Sequence, residues 1–405
     1  MTLDGQMSPG RTIALVYNTD VYLHRLRGGL LRALKVEGYK VYAIAPAGPA
    51  VSAIEDAGAT FVPWSLPRRG VNPAVEMLSI LNLWTIYRRI RPDIAHHFTP
   101  KPNIYGAIAC RLAGVPVSIS SVNGLGYVFT GEDWMSSLIR PIVTMLYRIA
   151  FRLNDAVVVQ NKDDMSELEG YGMLPPGRAV HVPGGSGVDV AVFSPDAVTL
   201  AEVVRLRKSL RIPRDAPLVL LVGRMLWHKG IREFVECARL LGPRLGARFL
   251  LVGPTDPGNP AAIPHEQLAA WTGEGLITSL GERTDIRELL AMADVVALPS
   301  YREGFPRVLL EACAMGRPIV TTDVPGCREV VDDGVNGLIV APKDGQALAE
   351  GVEALLGSSS LRARFGAAAR ARAVREFDDK IVTEHMLSLY ERLLSGGAAV
   401  PHSAS

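Results

Sequence analysis

LPSYREGFPRVLLE, residues 298–311, decides how this chain is read. An apolar, strand-like run (Val295, Val296, Ala297, Leu298) ends at Pro299. A short polar loop follows through Gly304, then a helix pattern from Arg307 through Val308, Leu309, Ala312 and Met315. Pro306 sits in the expected first turn, a position that tolerates its missing N–H. Phe305, Arg307 and Val308 then flank a helix start whose backbone N–H groups and dipole favour a phosphate. Glu303 lies in the loop and Glu311 one to two turns inside the helix. They are not an acid/base pair on one helix face. Glu303 reaches beyond the phosphate, and Glu311 accepts from hydroxyls on the near side, such as a ribose. A nucleotide-sugar fits this arrangement; a solvated loop carboxylate beside one stray helix glutamate is the plainer reading.

The Glu-x7-Glu spacing inside EGFPRVLLEA resembles the signature of the retaining glycosyltransferases of family four. The likeness continues through GRPIVTTDVPGCREVVDDGVNGLIV, residues 316–340. The resemblance implies an α/β chain with the GT-B architecture, two Rossmann-like, doubly wound parallel-sheet domains facing a cleft.

Composition agrees with a soluble globular chain of more than one core. At 405 residues, two domains are the default. The apolar share is 48% and charged residues make up 21%, which excludes a disordered or collagen-like chain. Four scattered cysteines (Cys110, Cys237, Cys313, Cys327) have neither disulfide-framework nor metal spacing, so reduced thiols are expected. No leader is expected, since no apolar core is visible before Arg11, and no uncharged run approaches the ~20 residues of a spanning helix. Residues 1–185 hold 18 Lys/Arg against 14 Asp/Glu, a mild excess suited to an anionic partner but too small for nucleic acid.

In the first half, TIALVY (12–17), a helix pattern from Tyr22 to Glu37 and a strand from Lys40 to Ala45 form a βαβ unit of a parallel sheet. Ligands of such sheets bind at strand carboxyl ends, which places Asn18 to Tyr22 at a mouth. Gly28 and Gly29 fall inside the helix pattern and are not a phosphate loop. Residues 77–91 form a helix with an apolar side and a basic end. On the strand DIAHHF (93–98), His96 and His97 point to opposite faces, so one is core. Lys101, just past that strand, is a candidate for holding an anion. The run from His96 to Thr130 resembles the branch of family four that adds N-acetylhexosamines to undecaprenyl-diphosphate-linked sugars in bacterial glycan assembly. Asn123 and Gly124 stand where many relatives carry a histidine. By this resemblance Lys101, Asn123, Gly124 and His97 lie on the acceptor side.

WMSSLIRPIVTMLYRIAFR (134–152) is apolar, aromatic and basic, with Pro141 able to begin its main helix; it reads as an interfacial helix on an anionic membrane surface. The Gly/Pro-rich HVPGGSGVDVAVFSP (181–195) marks the domain boundary. Expected divisions are an acceptor-binding domain over 1–190, a nucleotide-sugar domain over 191–380, and a tail helix over 381–405 that crosses back to the first domain. Residues after Ser395 read as a disordered end.

In the second half, the strand Leu218 to Val222 leads to Gly223-Arg224 and Lys229-Gly230. Two cations at this carboxyl edge suit a departing diphosphate, where charge builds in the transition state. Arg283 and Ile286 lie in a loop that, by the resemblance, frames the nucleotide base. The combined reading is a retaining, metal-independent transferase. It moves a sugar, an N-acetylhexosamine by the resemblance, from a UDP-sugar to a polyprenyl-diphosphate-linked saccharide. The expected site is catalytic Glu303, Arg224 and Lys229, with Glu311, Gly304, Phe305, Arg307, Val308, Arg283 and Ile286 around the donor. No metal or resident cofactor is expected, and the chain is placed in the cytoplasm on the inner membrane face. Rival readings are transfer from GDP-mannose to a soluble or lipid acceptor, a sugar-nucleotide epimerase, and a membrane-associated nucleotide-sugar scaffold.

Overall fold

The computed structural model describes residues 10–67, 72–125, 129 and 134–399; the side chains of residues 134–137 are not described. The chain start before Gly10, Gly126, the Trp134 side chain and the end after Ala399 lie outside the described residues. The chain divides into two compact units, one of residues 1–186 with 379–405, the other of residues 187–378.

The first unit runs β1 (Thr12–Val16), α1 (Asp20–Val36), β2 (Lys40–Ala45), α2 (Val51–Asp56), β3 (Thr60–Pro63), α3 (Pro73–Ile90) and β4 (Ile94–Phe98). It continues with α4 (Pro100–Ala113), β5 (Val117–Val122), α5 (Trp134–Leu153), β6 (Ala156–Val159), α6 (Lys162–Gly170) and β7 (Ala179–His181). All seven strands pair in parallel, in the order β3-β2-β1-β4-β5-β6-β7. Because helices cover both sheet faces, alternate residues of one strand enter different cores. Ile13 and Leu15 pack with α1, whereas Ala14 and Val16 pack with Leu83, Tyr87 and Cys110 of α3 and α4. Helix starts are fixed locally: the Thr19 side chain accepts from Tyr22 N at 3.2 Å, and Asn161 accepts from Asp164 N at 2.6 Å. Gly28 and Gly29 lie within α1.

The second unit runs α7 (Leu200–Ser209), β8 (Leu218–Val222), α8 (Ile231–Leu245), β9 (Arg248–Val252), α9 (His265–Gly273), β10 (Thr278–Ser279) and α10 (Ile286–Met292). Then come β11 (Val295–Leu298), α11 (Arg307–Ala314), β12 (Ile319–Thr322), β13 (Gly337–Val340), α12 (Gly345–Leu356) and α13 (Ser359–Arg372). Its six strands are also parallel, in the order β10-β9-β8-β11-β12-β13. A single π turn over Ala373–Phe377 precedes α14 (Asp379–Leu394), which belongs to the first unit and packs on α1.

In each sheet the strand order reverses once, between β1 and β4 and between β8 and β11. A crevice at the carboxyl ends of strands forms at such a reversal. Both units therefore place a candidate mouth in the same topological position.

Three expectations need correction here. Pro141 lies inside α5 and does not begin it, and it is exposed. Pro306 is the residue before α11, extended at φ −73° and ψ 105°, and not part of its first turn. The stretch after Ser395 is described as far as Ala399, whose side chain is buried in the core that includes Leu393.

Candidate functional site

The site in the second unit is built where β8 and β11 lie side by side. After β8 the chain passes Gly223 and Arg224, makes a 3₁₀ turn over Trp227–Lys229, and enters α8 through Gly230. Gly230 has φ +70°, and a Cβ there would lie 1.9 Å from the carbonyl oxygen of Pro299. Only glycine permits this approach. The approach brings Lys229 to the loop after β11, where its Nζ donates to Glu303 Oε1 at 2.5 Å. Ser300 Oγ donates to the same oxygen at 2.6 Å. Both charged side chains are largely buried, at 16% and 11% exposed, so the pair is weakly screened.

Arg224 pairs with Asp256 Oδ2 at 3.1 Å, and Asn259 donates to that oxygen at 2.9 Å. Glu311, only 2% exposed, receives Arg307 Nε at 2.9 Å across one helical turn. Arg307 therefore turns its guanidinium along α11 toward Glu311, and the helix start contributes backbone N–H groups. Phe305 stands edge-on to Phe377, with ring centroids 5.9 Å apart, and Val308 packs on the same core; Gly304 lies between Glu303 and Phe305. Arg283 makes two bonds to Asp285, at 2.8 and 2.5 Å, and these hold the Asp285 carboxyl below its ordinary range. Ile286 is buried at the start of α10. Burial, with Lys229 beside it, holds the His228 imidazole down at about 4, so it is neutral near pH 7.

The first unit's mouth is also polar. Asn123, directly after β5, accepts from Gln160 Nε2 at 3.0 Å and from Arg27 Nη2 at 3.4 Å, and donates to the Tyr17 hydroxyl at 3.2 Å. The Arg27 guanidinium lies 4.5 Å over the Phe98 ring. Residues at the ends of β1, β4, β5 and β6 thus share one network, with Gly124 beside it at φ +120°.

One acceptor-side expectation changes, and a second residue gains a partner. His97 is wholly buried; its Nδ1 lies 2.9 Å from the Ile119 carbonyl and its Nε2 2.8 Å from the Tyr87 hydroxyl. Gly106 faces it so closely that a Cβ would lie 2.0 Å from the ring. His97 is therefore a core residue with both nitrogens engaged, and it leaves the set of candidate ligands. Lys101 pairs at 2.6 Å with Glu76, which also accepts from the Tyr105 hydroxyl at 2.8 Å, and the pair ties α4 to α3. The sequence reading missed Ser300, Asp256, Arg27 and Gln160.

Known proteins match this chain. Residues 12–161 match the family model described as Glycosyl transferase 4-like, and residues 216–358 the one described as Glycosyl transferases group 1. The alpha-maltose-1-phosphate synthase of Mycolicibacterium smegmatis is 30% identical, over 80% of this chain and 85% of its own. The chain belongs to the family-four glycosyltransferases.

Among relatives of this transferase is the N,N'-diacetylbacillosaminyl-diphospho-undecaprenol alpha-1,3-N-acetylgalactosaminyltransferase of Campylobacter jejuni. It is 29% identical over 94% of this chain and 99% of its own. An Anabaena protein solved with UDP-glucose superposes on the transferase with a TM-score of 0.78, at 19% identity, over 94% of this chain and 99% of that one. The two parallel-sheet units are those of a GT-B glycosyltransferase.

Proposed function

We propose that the transferase moves an N-acetylhexosamine from a UDP-sugar to a polyprenyl-diphosphate-linked saccharide, with retention at the anomeric carbon and without a metal ion. One observation carries the donor half of this reading. Lys229, Glu303, Arg224 and the start of α11 gather around the reversal between β8 and β11. In this reading the diphosphate meets the α11 start and the two cations, which offset the charge that builds on the departing UDP. Glu303 takes sugar hydroxyls and Glu311 takes the ribose. The acceptor belongs to the first unit, at the mouth that holds Asn123 and Gly124. The Campylobacter relative's action on a diphospho-undecaprenol sugar supports the acceptor class.

A panel of UDP- and GDP-sugars, offered with a polyprenyl-diphosphate sugar and read by mass, tests the reading. The expected result is one added N-acetylhexosamine from a UDP donor, unchanged by EDTA. A product from the donor without any acceptor points to an epimerase and overturns the reading. Loss of transfer in EDTA that a divalent ion restores overturns the metal-independent step.

The reading includes an anionic membrane surface as partner. Leu138, Ile142, Met145 and Ile149 are exposed at helical spacing on α5, which also carries Arg140, Arg148 and Arg152 and no acidic residue. Met77, Leu78 and Leu81 are exposed on α3, and both helices flank α4. No helix among the described residues is long and apolar enough to cross a membrane. An apolar stripe with cations and no acids suits an anionic lipid interface. The protein is expected to sediment with phosphatidylglycerol vesicles and not with phosphatidylcholine vesicles. The Leu138→Glu/Ile142→Glu variant is expected to lose that binding while still transferring to a short-chain soluble acceptor. Equal binding by the variant removes α5 from the interface.

A further inference from the structure

Glu303 and the diphosphate compete for one ammonium. Lys229 Nζ already donates to Glu303 Oε1, and an ammonium on a flexible stem has three donors to distribute. When it turns toward a departing phosphate, the carboxylate loses part of its hold just when it must keep the sugar oriented. Ser300 is the other donor to Glu303 Oε1. Its side chain is short and wholly buried, so it has no comparable freedom to follow a ligand.

The rest of the loop is anchored without it. The carbonyl of Ser300 accepts from Thr322 Oγ1, and Tyr301 N donates to the His228 carbonyl at 2.8 Å. The Tyr301 hydroxyl donates to Glu233 at 2.7 Å, and Glu303 N donates to the Pro325 carbonyl at 3.2 Å. Removing the Ser300 hydroxyl therefore releases the carboxylate and leaves the backbone in place.

We propose that Ser300 is a positioning residue for sugar transfer, holding the Glu303 carboxylate while Lys229 is shared with the diphosphate. This rests on the donor reading above. A bond to a charged group contributes about 1.5–3 kcal/mol, equivalent to roughly 10- to 150-fold. If orientation of the sugar depends on it, the loss falls on kcat.

The test compares wild type, Ser300→Ala, Glu303→Ala, their double variant and Lys229→Ala, by UDP titration and steady-state transfer. Ser300→Ala is expected to keep UDP affinity within twofold and lose roughly tenfold or more in kcat. In the Glu303→Ala background, which has no acceptor for Ser300, the same change is expected to cost less than twofold, because the two side chains act as a unit. A purely structural serine would give additive losses, or lose UDP affinity along with kcat; either outcome overturns the proposal, as does an unchanged kcat. If Ser300→Ala does not fold, Ser300→Cys, a weaker donor of similar size, carries the same comparison. If Lys229→Ala binds UDP as well as wild type, the donor reading itself fails and takes the proposal with it. If Lys229→Ala weakens UDP and Ser300→Ala keeps kcat, only the Ser300 role fails.

Discussion

Lys229→Ala is expected to lower kcat/KM for the UDP-sugar by about 10³-fold. Removing one preorganised group that meets developing charge typically costs about 10²–10³ in rate, and this lysine does a second thing as well. Its ammonium neutralises Glu303, which is only 11% exposed. Without it the carboxylate keeps the Ser300 bond and a charge that burial penalises. The variant therefore loses the cation facing the leaving group and leaves the Glu303 charge without its counter-ion. Lys229→Arg keeps the charge but replaces a compact ammonium with a planar fork, and it is expected to recover part of the rate. Steady-state transfer with a mass readout measures both. A Lys229→Ala enzyme within tenfold of wild type would place the leaving-group cation elsewhere and remove the core of the proposed mechanism.

What was legible in the sequence follows from the range of the interaction concerned. The central strands of both units read as apolar runs because a parallel sheet covered on both faces buries them on both sides, and the β8 run LVLL is wholly buried. The positions of Glu303 before α11 and Glu311 inside it follow from one local pattern. The partners of those residues do not. Asp256 meets Arg224 because β9 runs beside β8, and Glu233 meets Tyr301 because α8 starts against the end of β11. Neither approach leaves a mark in the spacing of either residue. Gly230 is the exception, since a glycine between a site lysine and a helix start hints at a forced approach, although not at Pro299 as its neighbour.

Lys101 shows the same limit from the other side. Its place past β4 is local, but its partner Glu76 arrives from α3. For His96 and His97 the alternation rule is correct and the inference from it too narrow. The rings do point to opposite faces, but both faces carry helices, so both are core. His96 lies 2.7 Å from the Tyr390 hydroxyl of α14 and 2.7 Å from Ser121 Oγ. The helix that supplies Tyr390 arrives from 294 positions along the chain, which no local reading of β4 can foresee.

The two buried histidines make the first unit sensitive to acid, and the sign follows from their surroundings. His97 is faced by the Tyr87 hydroxyl from α3, Cys110 Sγ from α4 at 3.7 Å and the Ile119 carbonyl from β5. Burial outweighs the carbonyl and holds its imidazole down at about 3. Burial, then the Arg27 cation and His97, push His96 well below its ordinary value; Tyr390 and Ser121 face it as neutral hydroxyls. Both rings are neutral in the fold and take up protons in the unfolded chain below about pH 6.5. Unfolding then absorbs protons, so stability is fully present above pH 6.5 and is lost as pH falls toward 3. At pH 5 the unfolded-state value lies about 1.5 units above the solution pH, which for His97 alone amounts to about 2 kcal/mol. Hydrogen exchange at β4 and β5, corrected for intrinsic rates and read by mass spectrometry between pH 7.5 and 5, measures the loss. Protection at those strands is expected to fall by at least about 30-fold, the equivalent of that free energy. Constant protection across the range would mean that both rings already carry a proton in the fold, with His97 Nε2 donating to the Tyr87 hydroxyl instead of accepting from it.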